Sequence, residues 1–519
     1  MYIARAELKE KIMASLLTAK RLLLSLVLIS AVAGSAWYYV TKPADITVKT
    51  RPVATLKEDF SRSDLALYDA AFKAQERGDI DTADGYLNQV ENPVLLGHVL
   101  AERYLGTHYT ASADDLRLWL SNFSDLPQAE RIAALAQRKG ATSVSRDAFD
   151  TAMLKGAGYT EHLGASSPPR GWYQGLSEWR KKSYSSAASS FSAVANNAQV
   201  NGWHRAAAAY WAARAYSRMG DNRSAARALE VAKQFPLTLY GQLASVRLGE
   251  EPAIVTAAPY VSSTLRASPA VMRAKALAGA GQSALAEDEL RAVFTMLSAR
   301  DKRGLVTIAA ELGLANLQIR LTRTEGLTDD EKDFAAYPIP RSVVEATSSI
   351  NPALILAIAR QESGFRAEVK SPAGASGLMQ IMPATAAHIK RQPGFGVAIA
   401  DARFGAGEAA RALDLMHPEL SVKMGSKYLR MLMAERHIRG SLVHILAAYN
   451  AGPGSVATWV RAAGRVDDPL LFMESIPYPE TRNYVVQVLS HYIVYKNMLG
   501  MPTPELQAMA SGQWPAYHY

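Results

Sequence analysis

The chain contains no cysteine. That removes disulfides, thiolate nucleophiles, cysteine-ligated zinc and a lipid-modified N-terminal cysteine, while leaving an oxidising compartment open to it. Alternating Val/Ile/Thr runs are scarce, so little in the sequence asks for β-strands. Histidine is sparse and scattered, with 10 in 519 residues, and neither HExxH nor a zinc-knuckle or EF-hand spacing occurs. Walker, GxGxxG and GxSxG sequences are missing as well. The expectation is therefore an enzyme or binding protein with no metal and no cofactor.

Half of the residues, 49%, are hydrophobic and 20% are charged, a globular composition. Alanine and leucine dominate, and Gly and Pro gather between segments, which predicts an all-α fold. The length asks for more than one domain. A net charge of +9 favours an anionic partner. The basic residues are dispersed, however, and the densest group, Arg180-Lys181-Lys182, reads as a solvated helix face. Nucleic acid is therefore not the expected partner; a polyanionic cell-wall polymer or a membrane surface suits diffuse basicity. No particular protein partner is implied.

The stretch RLLLSLVLISAVAGSAWYYV (21–40) follows Arg5, Lys9, Lys11, Lys20 and Arg21. Its length suits a bilayer crossing, and the preceding charges keep that end cytoplasmic. Small residues at Ala31, Ala33, Gly34 and Ala36 equally suit a signal-peptidase site. Cleaved signal or retained anchor, residues 1–45 would export the rest to the periplasm, with contact to the membrane if uncleaved.

Residues 46–335 read as helices joined by short turns, with a faint Gly-x4-Ala-x3-Leu repeat. Gly78, Ala83 and Leu87 fit it, as do Gly220, Ala225 and Leu229, and Gly281, Ala286 and Leu290. Lys182, Ala187 and Phe191 form a copy without the glycine. Helix pairs of this kind bury their faces by stacking, so a solenoid is expected. GASSPPRGW (164–172) interrupts the pattern as a kink or loop. AAYPIPRS (335–342) is the better boundary, because two close prolines forbid a continuous helix. Beyond it, over 336–519, helices are expected to shorten and Gly-rich connections appear.

Three helix ends in this last part carry candidate chemistry. In ALILAIARQESGFR (353–366), Asn351 is an expected N-cap, Pro352 the first helical residue and Gly364 the stop. Leu354, Ile355 and Ile358 then form an apolar stripe on which Glu362 lands, in the last turn. Desolvation and the negative end of the helix dipole both disfavour its anion, which suits a general acid that later acts as base. In SLVHILAAYNAGPGS (441–455), Tyr449 and Asn450 stand at the inward end of an apolar helix, with Asn450 expected to close it. In PYPETRNYVVQVL (477–489), Glu480 and Tyr484 lie one turn apart on one face. Taken singly, a core tyrosine or a dipole-complementing glutamate explains the latter two.

ARQESGFRAEVKSPAGASGLMQIMPATA, AAYNAGPG and ETRNYV, in this order, resemble the catalytic domain of the soluble lytic murein transglycosylases. Upstream, AAYWAARAYSRMGD and FPLTLYGQLASVRLG resemble that family's helical superhelix. The resemblance implies a helical solenoid followed by a lysozyme-like α domain with a substrate groove. It implies cleavage of the N-acetylmuramic acid to N-acetylglucosamine bond of peptidoglycan without water. Glu362 matches the family's acid/base, and Ser371 a residue that hydrogen-bonds the muramyl acetamido group. Gln380, Met382, Tyr449, Asn450, Glu480 and Tyr484 match groove residues, with Glu480 a supporting carboxylate. Arg366-Ala367 departs from a frequent Asn-Pro, outside the matched site.

The single inward carboxylate agrees with this. Ordinary glycosidases use two carboxylates at a set separation, whereas an intramolecular C6 hydroxyl can replace water and its base by proximity. A hydrolytic muramidase and a non-catalytic glycan-binding adaptor are the alternatives. N-terminal sequencing of the exported protein distinguishes the two fates of residues 1–45: a new terminus near residue 36 marks a cleaved signal, an intact one an anchor.

Overall fold

The computed structural model describes residues 60–140, 168–347, 349–392, 415–438, 440–464 and 467–518. The leader at 21–40 and the first residues of the interruption at 164–172 lie outside these. Among the described residues every regular element is helical, and pairing of extended backbone is limited to isolated bridges such as Lys370 with Ser376 and Ser376 with Ile381. The all-α expectation holds. No helix of the described residues is long and apolar enough to cross a membrane.

The repeat is visible in the coordinates. Gly78, Gly220 and Gly281 all adopt positive φ, at 79°, 76° and 75°. Each lies between two helices: Arg62–Glu76 and Ile80–Leu87, Gly202–Arg218 and Asn222–Lys233, Pro269–Gly279 and Ser283–Phe294. Ala83, Leu87, Ala225, Leu229, Ala286 and Leu290 are all buried, as a hairpin packing its second helix against its first requires. In the copy without glycine, Lys182 itself takes φ 61° between Arg170–Arg180 and Tyr184–Ala195. The same turn geometry is therefore taken here by a residue that adopts it with more strain than glycine.

Contacts divide the chain into two compact units, Met1–Lys155 with Val261–Lys302, and Gly156–Tyr260 with Arg303–Tyr519. In the first unit a buried polar group stands among the helices. Arg273 makes two hydrogen bonds to Glu289, which also meets His98, while Gln128 meets the other nitrogen of that imidazole.

In the second unit one apolar core runs from Trp172 to Ala510. The proline pair does end a helix: Asp329–Ala336 stops before it, and Arg341–Glu345 begins after Pro340. The packing nevertheless crosses this point. Tyr240 donates to the buried Glu474 (2.6 Å), Gln242 reaches the Ser490 carbonyl, and Arg214 pairs with Asp468 while lying over the rings of Trp179 and Trp211. Helices also do not uniformly shorten after residue 336. Pro418–Ala434 has 17 residues and Pro479–Met498 has 20, lengths that a buried helix sustains through tertiary contact.

Pro352–Ser363 is the centre of this unit. Asn351 caps it through the Ala353 amide, Pro352 opens it, and Gly364 ends it in the left-handed conformation, as the local sequence requires. The stripe reading is corrected: Ala353 through Ala359 are each 0% exposed, so the helix is apolar and covered all round. Arg360 holds it laterally. It donates to the Ala336 carbonyl and to His491 Nε2, and its guanidinium lies 4.4 Å from the centre of the Tyr337 ring. With Nε2 accepting, His491 Nδ1 carries the proton that meets the Tyr337 oxygen at 3.0 Å.

The loop after this helix is seated by close backbone approach. Gly377 has φ 78°, and a Cβ there would stand 1.8 Å from the Leu415 carbonyl oxygen. Gly425 similarly lets Met379 lie against the Pro418–Ala434 helix. Gly377→Ala should cost about 3 kcal/mol or more of folding stability, because a clash adds to left-handed strain. Gly500→Ala, at φ 66° in open space, should cost only ~1–2 kcal/mol. Urea unfolding of the two variants checks the difference; equal losses would mean that the loop can move off the helix.

Candidate active site

Glu362 occupies the last turn of Pro352–Ser363, where a helix buried on every side comes close to solvent. Part of its surface remains accessible, but protein surrounds the carboxyl. The next residue secures the position. Ser363 donates its hydroxyl to the Leu378 carbonyl (2.9 Å) while contacting the Ala359 carbonyl. The left-handed pair Gly364 and Phe365 then turns the chain, and Asn316 donates to the Gly364 carbonyl.

Burial pushes the Glu362 carboxyl up to about 8; the Tyr484 hydroxyl acts in the opposite direction, and the negative charge of Glu480 adds to the rise. The acid is thus held protonated around neutrality mainly by desolvation. Tyr484 is buried beside it, and its hydroxyl interacts with the Glu362 carboxyl in the sense that favours the anion. A donor so placed binds the carboxylate more strongly once it forms.

Tyr449 is close enough to feel the charge of the acid. It is buried, its hydroxyl is raised well above its ordinary pKa by desolvation and by the charges of Glu362 and Tyr428, and it donates to the Met379 carbonyl at 2.8 Å. Its proton therefore braces the GLMQ segment. Asn450 does not close its helix: Leu442–Ala451 runs one residue further, to Gly452, and Pro453–Ala463 follows at once. The Gly-Pro-Gly segment is thus a hinge between two helices, with Pro453 as the first residue of the second. Asn450 Oδ1 accepts from Thr481 Oγ1 at 2.6 Å, which joins this helix end to the first turn of Pro479–Met498. That turn carries the exposed Glu480.

Ser371, Gln380 and Met382 share the loop between Pro352–Ser363 and Pro383–Lys390. The Ser371 oxygen accepts from the Ala375 amide at 3.0 Å, leaving its own proton available. Gln380 stands at φ 44°, and its amide nitrogen donates back to the Val369 and Gly377 carbonyls. Its side chain thus holds the loop's shape. Met382 is 40% exposed, an apolar surface at the head of the following helix.

Two contributors were not legible beforehand. Tyr428, on Pro418–Ala434, packs its ring 5.4 Å from that of Tyr449, and its charge is felt by both Tyr449 and Tyr484. In sequence it is one more tyrosine on an amphipathic helix. Ser421 receives the Met379 amide; a serine in a helix interior carries no local sign of that task. Among the described residues no cluster of His, Asp and Glu is arranged to hold a metal.

The sequence pattern of the Transglycosylase SLT domain matches residues 342–472, a span that contains Glu362, the loop and Tyr449 but ends before Glu480. The chain is 33% identical over 310 residues to the soluble lytic murein transglycosylase of Salmonella typhimurium, covering 59% of this chain and 45% of that one. It is 33% identical over 283 residues to the protein of the same name from Escherichia coli K12, covering 53% and 41%. The match thus spans less than half the length of those relatives. The crystal structure of the 70 kDa soluble lytic transglycosylase from Escherichia coli aligns with a TM-score of 0.52 at 23% identity, over 88% of this chain and 75% of that one. An inactive mutant of lytic transglycosylase Slt from Pseudomonas aeruginosa aligns with a TM-score of 0.51 at 19% identity, over 85% and 72%. These structures share the fold.

The charge environment makes two predictions. Activity that needs protonated Glu362 should fall as pH rises through about 8. Glu480→Gln should move that limb to lower pH and Tyr484→Phe to higher pH, each read from the pH profile of kcat/KM. Second, the folded protein binds the Glu362 proton more tightly than the unfolded chain. The stability this contributes is full below the unfolded carboxyl's range and is lost as pH rises through about 8. Glu362→Gln, which cannot ionise, should therefore melt increasingly above the parent between pH 5 and 8. A constant difference in melting temperature would contradict the desolvation.

Proposed function

We infer from the match to the SLT domain over residues 342–472 that the chain acts as a lytic transglycosylase, cleaving the β-1,4 bond between N-acetylmuramic acid and N-acetylglucosamine in peptidoglycan. The observation that carries this reading is a single carboxyl, Glu362, at the end of a helix covered on every side, where burial raises its affinity for a proton. Glu362 protonates the leaving glycosidic oxygen. The sugar's own acetamido group stabilises the anomeric carbon as positive charge develops there. Glu362, now an anion, takes the proton of the muramyl C6 hydroxyl as that oxygen attacks the anomeric carbon, closing a 1,6-anhydro ring. No water is consumed, and the carboxyl ends the cycle protonated.

The surrounding groups fit that sequence of charges. The Tyr484 hydroxyl favours the carboxylate, so its interaction strengthens in the half of the cycle when Glu362 is negative. Tyr449 and Ser363 keep the GLMQ loop against the Glu362 helix, so Ser371, Gln380 and Asn450 meet substrate from fixed backbone. Met382 offers an apolar wall to a sugar ring. Glu480, exposed in its own first turn, raises the acid's affinity for the proton from a distance. Its presence is also the one observation favouring a hydrolytic muramidase, in which a second carboxylate participates. Export to a bacterial periplasm, soluble or anchored, accords with the substrate.

Mass spectrometry of fragments released from purified sacculi decides between the chemistries. Anhydro products, lighter by one water and without a reducing end, are expected; hydrated products would establish the muramidase. Glu362→Gln should lower the rate by roughly 10²–10⁴-fold, the range for loss of a general acid. A wild-type rate in that variant would remove Glu362 from the mechanism.

A further inference from the structure

The segment Pro477-Tyr478-Pro479 leads into the helix that carries Glu480 and Tyr484. Tyr478 is 54% exposed. An exposed aromatic side chain on a loop ordinarily samples several backbone states, but here proline fixes both neighbours. The residue before a proline is confined to extended conformations, and Tyr478 stands at φ −87° and ψ 111°. The ring is supported too. Trp459, itself nearly buried, meets it edge to face, with centroids 5.2 Å apart and planes at 85°. Trp459 lies on Pro453–Ala463, the helix that begins directly after Asn450 and Gly452.

This pair therefore bridges the two elements that Asn450 and Thr481 join, at the candidate site's own edge. Much of a large aromatic ring has been left in water, on backbone that the flanking prolines confine. That is the arrangement of a binding surface: rigid aromatics supply contact area with little entropy left to lose on binding. The ring's flat face suits the axial C–H surface of a pyranose, and its hydroxyl end tolerates water.

We propose that Tyr478, backed by Trp459, is a stacking platform for a sugar ring of the glycan strand beyond the bond being cleaved. This rests on the reading of the chain as a peptidoglycan-cleaving enzyme. The platform binds a ring by apolar contact and lengthens the stretch of glycan that the enzyme grips. It takes no part in proton transfer.

The test uses the full chain with the Glu362→Gln substitution, so that binding is measured without cleavage. Affinity for purified sacculi is read by sedimentation for the parent, Tyr478→Leu and Tyr478→Phe. Leucine keeps apolar contact with Trp459 but has no flat face; phenylalanine keeps the face and loses only the hydroxyl. Tyr478→Leu should weaken binding about tenfold, equivalent to ~1.4 kcal/mol, and Tyr478→Phe should stay within about twofold. Parental affinity in the leucine variant overturns the platform, and an equal loss in the phenylalanine variant shows that the hydroxyl, not stacking, carries the contact and overturns it as well. Thermal melts of both variants identify a loss due to unfolding; a leucine variant that melts like its parent but binds weakly supports the proposal. Failure of the underlying reading has a different signature: the unsubstituted chain would release no fragments from the same sacculi, whatever Tyr478 is.

Discussion

Removal of water from the end of one helix is the constraint from which the site's chemistry follows. Pro352–Ser363 can be covered on all sides only because its first eight residues are proline or apolar and its ninth, Arg360, has its charge received by a carbonyl, an imidazole and an aromatic face. An unpaired guanidinium at that depth would be prohibitive. With Arg360 satisfied, the helix lies deep enough that the carboxyl two residues on loses its hydration. The raised affinity of Glu362 for its proton is thus a consequence of how its helix is held, and the protein accepts a less stable folded state at alkaline pH as a result.

The neighbouring tyrosines divide the remaining work. The Tyr449 hydroxyl is committed to the Met379 carbonyl and so belongs to the architecture of the loop. Tyr484 has a hydroxyl of the same kind and similar burial, but it is turned to the acid instead, where it favours the anion and offsets part of the desolvation. Desolvation is the larger effect, so the resting carboxyl keeps its proton while a donor stands beside it for the anion. Around these groups the loop is shaped by glycine at the point of closest backbone approach and by the amide of Gln380 turned inward on its own carbonyls.

Much of this was legible in the residues. The N-cap at Asn351, the opening Pro352, the stop at Gly364 and the helix break at the proline pair are interactions within one turn of chain, and they stand where local chemistry puts them. So does the hairpin repeat, even at Lys182, because packing a small residue and a large one at fixed distance from a turn is itself local. The stripe, the closure at Asn450 and the shortening of later helices were read too simply. Each assumed one wet side or a loop, where neighbouring helices supply cover instead.

The sequence by itself determined that the chain is helical, where the Glu362 helix begins and ends, that one glutamate would sit at its inward end, and the family pattern that surrounds it. Only the tertiary structure decided that this carboxyl is dry, that the Tyr484 hydroxyl acts on it, that the Tyr428 ring meets that of Tyr449 at a tilt and that Asn450 joins Thr481. The division has a physical reason. Caps and turns depend on groups a few bonds apart, whereas desolvation and the pairing of buried donors are sums over residues brought together from distant parts of the chain.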